Sequence, residues 1–327
     1  MSAFNLAPMI EPRWNTKIVA SKAGDKSDII PIGRARKPKE DQASTLRGEG
    51  NEPALASNVR AIAISGGKGG TGKSVIAANL AVAYAQRGSR TLALDADLGM
   101  ADLNLLLGLA PGHSLLDVME GMPIDDVLVE AHGIHVLPAL NGSFPLANID
   151  EATRHRLFAA VDTLDNRFDT LVIDTAPGIA DNTVNFAAAA SEIIVVITPE
   201  SLSLADAYSC LKALHHRVGL TRAMVLPNKI RRPSDGDELF DRLASVVNRF
   251  LGISLTPLPP IPFDPQMAQS NEEGIPLLVY NPDAPASRAI RQVARRIEAL
   301  ARPEDRQGGV RLFLRRTFDR NEKEVGG

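Results

Sequence analysis

Short continuous apolar runs alternate along this chain with longer stretches of helical spacing. The runs at 59–65, 90–96, 134–138, 168–174, 191–198, 222–227 and 255–262 are rich in Val, Ile, Leu and Ala. Runs without polar alternation predict strands buried on both faces, as in a parallel sheet. Between them, 75–86, 149–166, 201–218, 235–251 and 284–300 carry apolar residues at helical spacing, for example Leu157, Val161 and Leu164. Strand and helix in alternation predict a doubly wound α/β domain with a mainly parallel sheet. Residues 1–57 break the pattern. They are rich in Pro, Gly, Ser and charge of both signs, which predicts a flexible extension.

Composition narrows the class. The chain has 327 residues and a net charge of −3, so no overall basic balance points to nucleic acid. Its single cysteine, Cys210, excludes a disulfide framework and argues against a cysteine-ligated iron–sulfur cluster. No run approaches the ~20 apolar residues of a spanning helix. The first stretch, with Glu11 and Arg13, has no apolar core of a secretory signal. A reducing cytoplasm is the expected compartment.

The most specific chemistry lies at Gly66-Gly67-Lys68-Gly69-Gly70-Thr71-Gly72-Lys73-Ser74. From Gly67 it fits the phosphate-loop pattern G-x-x-x-x-G-K-S/T, between a predicted strand and a predicted helix. Glycines let backbone N–H groups curl round a phosphate, and the following helix N-terminus adds positive potential. Lys73 is expected on the β- and γ-phosphates and Ser74 on Mg²⁺. The apolar run ending in Asp174 points a second carboxylate at that metal from a strand end, the Walker B arrangement. ATP or ADP with Mg²⁺ are the cofactors this implies. His215 and His216 are adjacent, face different sides of a helix, and cannot share a metal as i,i+4 ligands would.

Lys68 adds a further mark. Lys-Gly-Gly-x-Gly-Lys-Ser resembles the deviant Walker A loop of the MinD/ParA ATPases. The resemblance implies that Lys68 reaches across an ATP-dependent homodimer to the partner's nucleotide, so Lys68, Lys73 and Asp97 are the expected catalytic residues. Asp95-Ala96-Asp97-Leu98-Gly99 then corresponds to switch I, with Asp97 orienting the attacking water and Asp95 near the Mg²⁺ hydration shell. Thr175-Ala176-Pro177-Gly178 opens switch II, with its proline shifted from the commoner MinD form. Asn228 at a strand end is expected to contact adenine, with Pro262, Phe263 and Asp264 on the other side of the base.

Both ends extend the resemblance. Asp41-Gln42-Ala43-Ser44-Thr45-Leu46-Arg47 matches the motif near the N-terminus of FlhG-type proteins, the MinD-like regulators of flagellar number and placement. The segment is too short to hold a helix alone. The resemblance makes Asp41, Gln42, Ala43, Leu46 and Arg47 partner-binding residues, for a signal-recognition-type flagellar GTPase and for switch or C-ring components. At the other end, 310–318 wound as a helix places Val310, Phe313 and Leu314 on one face, flanked by Arg311, Arg315 and Arg316. A short cationic amphipathic helix suits an anionic membrane surface.

The expected organisation is an N-terminal extension at 1–57, an ATPase domain at 58–302, and a C-terminal tail at 303–327. The expected function is a weakly active MinD-like ATPase that dimerises on ATP, binds the inner face of a bacterial membrane reversibly, and regulates flagellar number or placement. A cell-division MinD or a ParA-type partition ATPase is the alternative. Arg231 and Arg232 could seed the basic patch that the latter needs, but the overall balance is acidic.

Overall fold

Each apolar run becomes a strand, and the strands lie where their burial requires. The computed structural model describes residues 59–97, 102–138, 151–164 and 167–301, all within one compact unit. The extension carrying Asp41, Gln42, Ala43, Leu46 and Arg47 lies outside the described residues. So does the tail carrying Val310, Phe313, Leu314, Arg315 and Arg316, and so do residues 98–101 beyond Asp97.

In chain order, β1 (Arg60–Ser65) leads through the glycine-rich loop into α1 (Lys73–Ala85) and on to β2 (Thr91–Ala96). Short helices α2 (Asp102–Leu106), α3 (Leu115–Met119) and α4 (Ile124–Val127) precede the hairpin of β3 (Val129–Ala131) and β4 (Ile134–Leu137). Next come α5 (Glu151–Asp162), β5 (Thr170–Thr175), α6 (Asp181–Ala189), β6 (Glu192–Ile197) and α7 (Ser203–Val218). The chain continues through β7 (Arg222–Pro227), α8 (Pro233–Leu251), β8 (Ser254–Pro257), α9 (Pro265–Glu272), α10 (Leu277–Tyr280) and α11 (Pro285–Ala299).

The sheet has eight strands in the order β3-β4-β2-β5-β1-β6-β7-β8. All neighbours are parallel except β3 and β4. Side-chain alternation splits the core across the sheet. Ala61 and Ala63 face one cluster with α5, α6, α7 and α8, while Ile62 and Ile64 face another with α1, α10 and α11. Strands β1, β2, β5 and β6 are buried at every position, which is why they read as continuous apolar runs. Among the described residues no helix is long and apolar enough to cross a membrane.

Two expectations are corrected. The hairpin strand β3 was not expected: Val-Glu-Ala is short and incompletely buried, so only tertiary pairing marks it. The last strand, expected over 255–262, ends at Pro257, and Pro262 makes only an isolated bridge to Ile230. Pro257, Pro259, Pro260 and Pro262 have no N–H for a ladder. Leu258 and Ile261, which have one, donate to Val225 and Pro227 at 2.9 and 2.8 Å.

At the edge of the sheet where β1 begins, Arg60 and Glu192 form a buried ion pair at 2.6 Å. Arg60 also donates to the Leu300 carbonyl at 3.1 Å, tying the end of α11 to the sheet. Removing one partner leaves the other charge buried. Glu192→Ala is therefore expected to cost about 3 kcal/mol or more in a denaturant melt.

Candidate functional site

The glycine-rich loop leaves β1 at the C-terminal edge of the strands, where ligand sites of open parallel sheets form. Its shape depends on two close approaches. Gly67 lies against the backbone of α7: a Cβ there would meet the Asp206 carbonyl oxygen at 2.0 Å. Gly72, the N-cap of α1, is left-handed at φ 92°, and a Cβ on it would meet the Asn228 amide at 2.6 Å. Both positions require glycine for space, and Gly72 also for conformation. The loop hands Lys73 and Ser74 to the first turn of α1, whose early N–H groups have no partner inside the helix. Lys73 is buried and donates to the Lys68 carbonyl at 3.2 Å. Burial lowers its pKa, against the charges of Asp174 and Asp97.

Three carboxylates cluster here: Asp97 and Asp174 act on Lys73, and Asp95 acts on Asp174. Asp174, the penultimate residue of β5, is buried, hydrogen-bonds Ser74, and keeps a buried oxygen, Oδ1, with no hydrogen-bond partner. Burial pushes its carboxyl up to about 8. Asp97 lines the cavity in front of Lys73. Asp95 is placed differently from the expectation. Its Oδ1 accepts from the Asp97 N–H at 2.9 Å and its Oδ2 from the Leu103 N–H at 3.1 Å. It is buried and braces the start of the switch segment instead of lining the cavity. Burial raises its carboxyl to about 6. Among the described residues no group of three or more His, Cys, Asp or Glu could hold a metal by itself. A hydroxyl with one or two carboxylates suits Mg²⁺, which completes its shell with water and phosphate oxygens. Ser74 and Asp174, with its unpartnered Oδ1, fit that ion.

The cavity measures about 720 Å³, the size of a small-molecule site. Gly69, Gly70, Gly72, Lys73 and Ser74 line it from the loop and the start of α1. Asn228, Lys229, Pro262, Phe263 and Asp264 add a wall beside the loop. The two segments of that wall are zipped together: Ile230 donates to Ile261 at 3.0 Å and Phe263 to Ile230 at 2.8 Å. Phe263 is exposed and lies under the Arg231 guanidinium, 5.0 Å from the ring centre. The polar side chains of this wall hold backbone. Asn228 donates to the Thr71 carbonyl and accepts from the Lys229 N–H, both at 2.9 Å. Asp264 caps α9 through Gln266 and accepts from Ala286 at the start of α11. Both residues line the cavity, with these side-chain atoms engaged in shaping it. Thr175 bonds the Ile64 carbonyl at 2.9 Å, Pro177 lines the cavity, and Gly178 is left-handed at φ 95°.

Lys68 stands outside this cavity lining. Its ammonium pairs with Glu200 of its own chain at 2.7 Å, both side chains partly exposed at 38% and 51%. Glu200 and Lys229 carry no mark in the sequence that assigns them a role at this site. Their roles come from contacts more than 130 positions apart in the chain: Lys68–Glu200 by 132 and Gly70–Lys229 by 159. His215 is used locally, its Nδ1 lying 2.9 Å from the Leu220 carbonyl.

The raised carboxyl of Asp174 has a consequence for stability. An unfolded carboxyl titrates near 3.9, so between about pH 4 and pH 8 the native state holds this proton more tightly. The contribution is fully present below about pH 4 and is lost as pH rises through 8. Metal-free protein is therefore expected to gain stability from Asp174→Asn, and more at pH 8.5 than at pH 6. Thermal melts of both proteins in chelator at the two pH values check this.

Comparison with known proteins agrees with this geometry. The model of the ParA family, described as NUBPL iron-transfer P-loop NTPase, matches residues 58–298. The antiactivator FleN of Pseudomonas aeruginosa is 36% identical over 260 residues, 79% of this chain and 93% of that protein. The flagellum site-determining protein YlxH of Helicobacter pylori is 30% identical over 58% of this chain and 64% of its own length. Among solved structures, the cell division ATPase MinD of Pyrococcus furiosus superposes with a TM-score of 0.59 at 28% identity, covering 74% of this chain and 99% of that one. With its phosphate loop, strand-end aspartate and mainly parallel sheet, the chain belongs to the ParA/MinD family of P-loop NTPases.

Proposed function

We propose that this chain is a MinD-type ATPase that regulates flagellar number or placement, closing into a dimer on ATP and binding the membrane reversibly. The observation that carries the flagellar reading is the likeness to FleN over nearly the whole of that protein. YlxH, named for flagellum site determination, supports it. Iron transfer, named in the family description, finds no thiolate set here, because Cys210 is the single cysteine and is buried against Ser65.

The chemistry assigned to the site follows from its parts. Ser74 and Asp174 hold Mg²⁺, which neutralises charge on the phosphates when bound. Lys73 turns from the Lys68 carbonyl to the β- and γ-phosphates. Asp97 orients the attacking water. Lys68 exchanges its contact with Glu200 for the nucleotide of a second copy, supplying positive charge where negative charge develops. Leu105 and Phe263 line the cavity and are exposed, and so is Leu202, two residues after the Glu200 that pairs with Lys68. Exposed apolar side chains round a charged cleft suit a surface that a second copy covers only in one nucleotide state.

Dimerisation is expected to follow the γ-phosphate. Asp97→Ala, which blocks hydrolysis, is expected to run as a dimer with ATP and Mg²⁺ and as a monomer with ADP in light scattering. Adding Leu202→Asp is expected to keep it monomeric with ATP while ADP binding persists. A mass that ignores the nucleotide would overturn the face-to-face dimer.

The two ends are expected to act independently. Phe313→Asp is expected to abolish ATP-dependent flotation with anionic liposomes, since burying Phe313 and Leu314 supplies roughly 1.5–3 kcal/mol each. Deleting residues 1–57 is expected to leave flotation and nucleotide binding intact and to abolish capture of the flagellar GTPase or switch components. Capture that survives both this deletion and Leu46→Asp would disconnect the 41–47 motif from partner binding.

A further inference from the structure

Two non-glycine residues among the described ones have left-handed backbones, His132 at φ 51° and Lys229 at φ 58°. His132 has a local reason. With Gly133 it makes the two-residue turn of the β3–β4 hairpin, where positive φ matches the twist of the strands. Lys229 has no hairpin to serve. It follows the end of β7, inside the wall of the cavity, in a conformation that costs an L-residue roughly 1 kcal/mol. Strain kept at such a place points to a function for the conformation.

That conformation carries the Lys229 side chain to the phosphate loop. Its ammonium donates to the Gly70 carbonyl at 2.8 Å. The preceding residue, Asn228, donates to the next carbonyl, Thr71, at 2.9 Å. Two successive peptide units of the loop are therefore held by two successive residues of one strand end. In a trans peptide the C=O and the following N–H point in opposite directions. Drawing the Gly70 and Thr71 carbonyls toward β7 turns the N–H groups of Thr71 and Gly72 the other way. Gly69 and Gly70 are exposed, and a Cβ built on either meets nothing within 4 Å, so side-chain packing does not set this part of the loop.

We infer that Lys229 is a positioning residue for nucleotide binding: with Asn228 it presets the loop so that the Thr71 and Gly72 amides already face the phosphates. This rests on the nucleotide reading of the cavity. A loop of glycines loses much conformational freedom when it closes on a phosphate. A tether that removes this freedom beforehand lowers the cost of binding.

The test uses full-length protein and four measurements. Calorimetry with ADP and with inorganic tripolyphosphate gives affinities with and without the base. Amide hydrogen exchange on ligand-free protein reports the loop itself. Thermal melts report the fold. Lys229→Met is expected to weaken ADP and tripolyphosphate by the same factor, about tenfold, and to speed exchange at Thr71 and Gly72 with no ligand present. Lys229→Arg, which keeps a cationic donor, is expected to restore most of both. Lys229→Gly accepts the left-handed backbone freely, so it is expected to melt about 2 °C higher while binding as weakly as the Met variant. Wild-type protein that binds neither ligand would overturn the nucleotide reading itself. Wild type that binds, with a Met variant that binds equally well, would overturn only the role of Lys229. Loss confined to ADP would make it a base contact. Weakened binding with unchanged loop amides would make it a direct phosphate contact. A Gly variant that melts lower would make it a fold contact.

Discussion

Everything at the functional edge depends on how tightly the loop after β1 is enclosed. Below it, Gly67 touches the backbone of α7 so closely that no side chain fits between them. Beside it, the Asn228 amide lies against Gly72 and bonds Thr71. The loop is thus gripped by α7, which follows β6, and by the end of β7. These are the next two strands on one side of β1 in the sheet. Register does the positioning: Ile64 pairs with Asp174 on one side and Ser65 with Val195 on the other. A slip of one residue would turn Asp174 to the opposite face of the sheet.

Burial is also what makes the chemistry costly. Lys73, Asp95 and Asp174 are all buried, and burial is the first cause of each shift, lowering the lysine and raising both acids. Each charge has been removed from water near an opposite charge or a donor, so the ionised forms are poised against their cost of desolvation. Asp95 offsets its cost with two backbone N–H groups, those of Asp97 and of Leu103 in α2. Asp174 keeps one oxygen unpartnered, an arrangement that a hard cation satisfies. The partly exposed Lys68–Glu200 pair is different. Surface ion pairs contribute little, so this contact is readily exchanged for another partner.

Much of this was legible in the residues themselves. Fully buried parallel strands have no solvent face, so β1, β2, β5 and β6 announce themselves as apolar runs. The glycines, Lys73 and Ser74 announce the loop, because a backbone that cradles phosphate needs those residue types at that spacing. Asp174 is marked by the apolar run it ends. Short α2, α6, α9 and α10 and the three-residue β3 left no periodicity long enough to detect, and the run of prolines after Thr256 concealed where β8 stops.

What the chain folded in space decided is which polar side chains face the cavity and which are used to build it. Asp95 and Asp97 look alike in sequence, yet one is enclosed by backbone amides and the other lines the cavity. Asn228 and Asp264 occupy the wall where a base contact was expected, with their amide and carboxylate engaged in holding the loop and two helices. Glu200 and Lys229 acquire meaning only when β6 and β7 bring them to the loop. Residue type and spacing determine what a side chain is able to bind; only the packing of distant segments determines which of those partners is within reach.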